Sequence, residues 1–138
     1  VLVALAAVVG AGCGSSGDSA STTTTSRPFK GDADSPFCVR ARAWKNMRPV
    51  DAEDLANAQA AYTAQADAVR GLQPVAPAAV APALKTAVAF LDRLLGALAQ
   101  HGWDLNQVTD PSVTMKPAEH AAEGTLNRYI IDVCLPKD

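Results

Sequence analysis

Apolar side chains recur along this chain at helical spacing, and they nowhere alternate over a length that would make a strand. The clearest case lies between residues 78 and 100. Val80, Leu84, Ala87, Leu91, Leu94, Leu95 and Leu98 share one side of a helix, and Phe90 widens the apolar arc to about 160°. Lys85, Asp92, Arg93 and Gln100 occupy the opposite side. A stripe this wide touches two neighbouring helices. Pro82 draws the start towards Ala81, and Gly102 closes the end. Upstream, Leu55, Ala58, Tyr62, Ala66 and Val69 mark a helix over 52–71, with Asp51 as its N-cap and Gly71 and Pro74 at its end. A shorter helix over 36–48 has Ser35 as cap, Pro36 in its first position and Pro49 as its stop. Ala118, Ala122, Leu126, Tyr129, Ile130 and Val133 mark a fourth over 115–134, with Thr114 as cap. Trp103, Leu105 and Val108, in the loop before it, are expected to fold back as a lid over one end. Short connections favour antiparallel neighbours, so residues 36–138 are expected to form an all-α, up-down four-helix bundle.

The first 35 residues read differently. Val1 to Val9 is an uncharged apolar run, followed by Gly10-Ala11-Gly12-Cys13. About twelve residues is too short for a membrane span, which needs about twenty, but it suits the apolar core of an export signal. The arrangement resembles a bacterial lipoprotein signal, with small residues at 11 and 12 before the cysteine. That resemblance implies removal of residues 1–12, a lipid on Cys13, and a protein held on the extracytoplasmic side of the cell membrane. Plain secretion is the alternative. Residues 13–35 then form a Gly/Ser/Thr-rich tether with too little apolar content to fold. As a flexible coil it would reach roughly 25 Å.

The chain has three cysteines. An odd number in an exported protein calls for an explanation. Lipidation of Cys13 supplies one and leaves Cys38 and Cys134 as a pair, in a compartment where disulfides persist. Two separate buried thiols are the alternative. The bundle topology agrees with pairing, because it sets the start of the first helix beside the end of the fourth. The bridge also sets a register: Arg40 level with Asp132, Trp44 with Arg128, and Lys45 and Arg48 near Glu119 and Glu123.

Candidate chemistry is sparse. The formal net charge is −2 with no charge run, so nothing points to nucleic acid. No glycine-rich phosphate loop, zinc spacing or nucleophile motif is present. His101 sits at a helix end, where its charge suits the dipole. His120 lies between Glu119 and Glu123, a spacing that would let His and Glu share a metal on one helix face; a solvated acidic first turn accounts for it more simply. Glu119 projects towards the apolar side and is expected to escape to solvent at the helix end, with a partly buried carboxylate as the alternative. Arg40 is placed to stack on Trp44 or to pair with Asp132. Trp44, Tyr62, Phe90 and Tyr129 are the side chains that would line a cavity between helices or serve an interaction surface. No cofactor is implied.

Alanine-rich helices, the Ser/Thr/Gly tether and two placed cysteines (Phe37-Cys38 and Tyr129-Ile130-Ile131-Asp132-Val133-Cys134) together resemble the small helical lipoproteins of actinobacteria. The resemblance implies location and fold, not activity. The expected function is therefore a membrane-anchored helical interaction module that meets another protein of the cell envelope. A carrier or sensor of a small apolar ligand is the alternative, and a metal-binding protein or enzyme using Glu119, His120 and Glu123 the third.

Overall fold

A computed structural model describes residues 28–51 and 53–135. Residues 1–12 and Cys13 lie outside that range. Four α-helices follow in order: α1 (Pro36–Lys45), α2 (Leu55–Arg70), α3 (Ala81–Gln100) and α4 (Pro117–Tyr129), which runs on into a π-turn (Ile130–Cys134). There is no strand among the described residues. α1 packs on α2, α2 on α3 and α3 on α4, and the π-turn closes back on α1.

Local chemistry accounts for where the helices start and stop. The Ser35 hydroxyl accepts from the Cys38 N–H, and Pro36 occupies the first turn of α1. This helix ends at Lys45, a turn before the expected Arg48. The side chain of Gln65 takes over there: its amide donates to the Arg48 carbonyl (2.8 Å) and accepts from the Trp44 indole (3.1 Å). α2 opens at Leu55 because the Asp51 carboxylate accepts from the Glu53 N–H in a local turn and so caps no helix. α4 opens at Pro117, so Thr114 is not its cap. Glu119 instead reaches back to accept from the Lys116 N–H at 2.8 Å.

Cys38 and Cys134 form a disulfide with Cα atoms 4.9 Å apart, and both cysteines are buried. The bridge closes a loop of 96 residues. In the chain-entropy account such a closure stabilises by roughly 4–5 kcal/mol. The register it sets is kept where Lys45 Nζ donates to Asn127 Oδ1 at 2.9 Å, one step from Trp44 and Arg128. The expected Arg40–Asp132 pair does not form. Arg40 donates to the Gly71 carbonyl at 2.7 Å, joining α1 to the end of α2. Asp132 accepts from the Phe29 N–H at 2.9 Å and lies 3.5 Å from Arg128 Nε.

Packing also extends N-terminally of Ser35, into the stretch expected to be tether. The Phe29 ring lies 5.3 Å from that of Tyr129, which meets Phe37 edge-on at 5.6 Å. Gly31 allows this close approach, since a Cβ there would sit 2.5 Å from the Tyr129 hydroxyl and 2.9 Å from Val133.

Most of the buried apolar side chains among the described residues fall into two clusters. The larger surrounds the disulfide and includes Phe37, Trp44, Leu72, Leu84, Leu126, Tyr129 and Ile130. The smaller, at the other end, consists of Ala58, Tyr62, Leu94 and Leu98. Trp103, Leu105 and Val108 pack over it, as the lid reading expects. No helix among the described residues is long and apolar enough to cross a membrane.

Candidate functional site

Between the helices lies a cleft walled by Trp44 of α1, Val69 of α2, Phe90 and Leu91 of α3, and Leu126 of α4. Met115, Glu119, Glu123 and Asn127 complete its rim on the α4 side. Trp44 is held by its bond to Gln65, and the Lys45 ammonium lies 5.0 Å from its ring centre. The internal volume is about 40 Å³, room for a few waters or a short alkyl group.

Glu119 dominates the polar side of this cleft. It is buried rather than escaping to solvent, while Ala118, expected on the apolar face, is exposed. The reason is a partner from α3 that the helical pattern places on a polar face. Arg93 Nη1 donates to Glu119 Oε1 at 2.8 Å, and the second carboxylate oxygen takes the Lys116 N–H. The Arg93 bond, then the backbone N–H of Lys116, hold the Glu119 carboxyl below the usual carboxylate range. The same bond raises Arg93. Arg93 also donates from Nε to the Ser112 carbonyl at 3.2 Å and lies 5.5 Å from the Phe90 ring, while its Nη2 is buried without a partner. A carboxylate fixed this way ties α4 and the loop before it to α3. Its lowered pKa and occupied oxygens make it a poor proton acceptor.

Of the aromatic residues expected to share a cavity, the cleft brings together Trp44 and Phe90 alone. Tyr62 sits in the smaller cluster, its hydroxyl pushed up by burial and then by the charge of Asp104. Tyr129 is packed between Phe29 and Phe37. Arg40 stays with Gly71 and so neither stacks on Trp44 nor pairs with Asp132. His101 and His120 are exposed, and no group of three His, Cys, Asp or Glu side chains among the described residues is placed to hold a metal ion.

A second, open groove of about 550 Å³ lies between the α1–α2 loop and α2. Met47, Arg48, Pro49 and Asp51 of the loop line it, with Asp54, Asn57, Ala61, Ala64 and Gln65 on the α2 side. No helical stripe points to this groove; the proline-stopped loop carrying Arg48 and Asp51 is its one signal in the sequence. Compared with protein-family models, with curated proteins and with solved structures, the chain has no significant match.

Proposed function

We propose that this chain is an extracytoplasmic lipoprotein of the small helical kind it resembles, an up-down bundle that works by contact with another envelope protein. The observation that carries this reading is the use of the cysteines. Cys38 and Cys134 consume each other in a buried bridge, which leaves Cys13, after its apolar run and small residues, as the thiol free to take a lipid. A disulfide closing nearly the whole folded region also favours an oxidising compartment.

The dimensions of the interhelical cleft favour contact over carriage. Pockets for small molecules run to about 300–1,000 Å³, and the interhelical cleft falls well short of that. The groove beside α2 is large, open and mixed in character, and it lies towards the start of α2. It is the surface assigned here to the envelope partner.

Intact-mass measurement on protein extracted from membranes tests the anchor, and photo-crosslinking from position 57 tests the groove. The expected results are an acylated Cys13 and one dominant crosslinked envelope protein. Cys13→Ser is expected to move the protein to the soluble fraction with its melting temperature unchanged. An unmodified Cys13, or membrane association that survives Cys13→Ser, would overturn the anchoring. A crosslink pattern identical to that from an exposed α3 position such as Lys85 would overturn the groove.

A further inference from the structure

We infer that the disulfide end of the domain rests on the lipid surface, with Val39, Ile131 and Leu135 in contact with the acyl region; this rests on the lipoprotein reading above. Among the described residues the large apolar side chains left exposed are Val39 (53%), Leu55 (47%), Ile131 (60%) and Leu135 (37%). Single exposed apolar residues are ordinary on a soluble surface. Three of these four are not scattered. Val39 follows Cys38 and Leu135 follows Cys134, so the 4.9 Å Cα separation across the bridge keeps their Cα atoms within about 13 Å. Ile131 belongs to the same turn, since the Leu135 N–H donates to the Ile130 carbonyl at 3.0 Å.

The path of the chain selects lipid as the occupant. It joins the domain at this same end: Phe29 lies against Tyr129, and its N–H bonds to Asp132, the residue after Ile131. Pro28 is fifteen residues on from Cys13, a span of at most about 50 Å even when fully extended. An anchor at Cys13 therefore tethers the domain by its disulfide end, which has the shorter reach to the bilayer. Leu55, by contrast, opens α2 at the far end. The 16 residues of that helix set it about 24 Å from the level where Gly71 meets Arg40.

Charge does not supply the attraction. Lys30, Arg40, Arg42 and Arg128 at this end stand against Asp32, Asp34 and Asp132, so the charges are close to balance. The contact is a small apolar one that the anchor makes effective by confinement. It leaves the α2 groove facing outward.

The test uses the native acylated protein in phosphatidylcholine vesicles that contain a lipid with a diazirine on its acyl chain. After photolysis, the labelled peptides are mapped by mass spectrometry. The expected label lies on the peptides holding Val39 and Ile131–Leu135, several-fold above the peptide holding Leu55, and is unchanged when anionic phosphatidylglycerol is added. Label spread equally onto Leu55, or absent from all three peptides while the protein stays on the vesicles, overturns the orientation and leaves the anchor intact. Label that appears only with anionic lipid overturns the apolar contact. Protein whose intact mass lacks the acyl group overturns the anchoring reading and this inference together.

Discussion

The two ends of this domain are built by different means. At the disulfide end, a covalent bridge, three aromatic rings in tilted and edge-on contact and the Phe29–Gly31 segment enclose fully buried Leu84 and Ile130. At the other end, Ala58, Tyr62, Leu94 and Leu98 are covered by half-buried loop residues, and the backbone turns through Gly102 and Trp103 with positive φ at both (62° and 67°). One end is closed by bonds and large side chains, the other by a lid. In the anchored reading proposed above, the bonded end would be the membrane side and the lid end the side turned to a partner.

Removing the bridge is the largest way to break the contrast. Replacing both cysteines by alanine is expected to cost roughly 4–5 kcal/mol, a large share of the 5–15 typical of a whole domain. Because the bridge acts mainly on the unfolded chain, hydrogen exchange should show the slowest amides at both ends losing protection by the same free energy. Loss confined to the disulfide end would mean that the two ends unfold separately. A matched pair of cavities sharpens the point. Leu84 and Leu98 are both fully buried, one in each cluster. Truncation to alanine should cost about 2–5 kcal/mol in urea denaturation, with Leu84→Ala nearer the top of that range and Leu98→Ala nearer the bottom, because the lid can settle into the space. Equal losses would show the ends to be equally rigid.

How far the sequence foretold this contrast depends on the kind of interaction. Helix positions were legible to within a few residues because periodicity and prolines act locally, and the cysteine pairing was legible because bundle topology constrains it. The start of α2 was missed because Asp51 has two local uses, and its carboxylate serves the turn at Glu53 rather than the helix. Glu119 was misplaced because its burial depends on Arg93, a residue that periodicity assigns to the opposite face of another helix. Phe29 carries no periodic signal at all, being one ring in a polar stretch; its docking depends on the gap that Gly31 leaves beside Tyr129. Tyr62 and Tyr129 each lie on the expected inner face. Helical spacing gives that face, and their different heights along the bundle put them in separate clusters.

Glu119 offers a chemical handle on the lid end, since it ties the start of α4 to α3. Its carboxyl is held below the ordinary range by Arg93 first and the Lys116 N–H second. A folded-state pKa below the unfolded one gives stability that is fully present above the unfolded value, near 4.3, and lost as pH falls through the lowered value. The native protein should therefore be more stable than Glu119→Gln at pH 7, and the difference should close on acidification below about 4.3. Melting temperatures across pH 2.5–7 in ~0.1 M salt measure it. A difference independent of pH would mean that the carboxylate charge is not what holds this joint.

The smallest test compares two glycines, each with open space where a Cβ would go. Neither Gly102 nor Gly124 has any atom within 4 Å of that position, so alanine creates no clash at either. Only the backbone differs. Gly102 lies in the left-handed region at the lid-end turn, where an L-side chain costs about 1–2 kcal/mol. Gly124 lies inside α4, where glycine is worse than alanine by roughly 0.5–1 kcal/mol. Gly102→Ala should therefore lower stability and Gly124→Ala raise it, the loss being about twice the gain. Sequence already separates them, since Gly102 closes the third helix whereas Gly124 falls inside the fourth. If both substitutions stabilise, the turn at Gly102 and Trp103 is not held in the left-handed region, and the lid end can reach an ordinary helical ending that the packing of Trp103 would otherwise forbid.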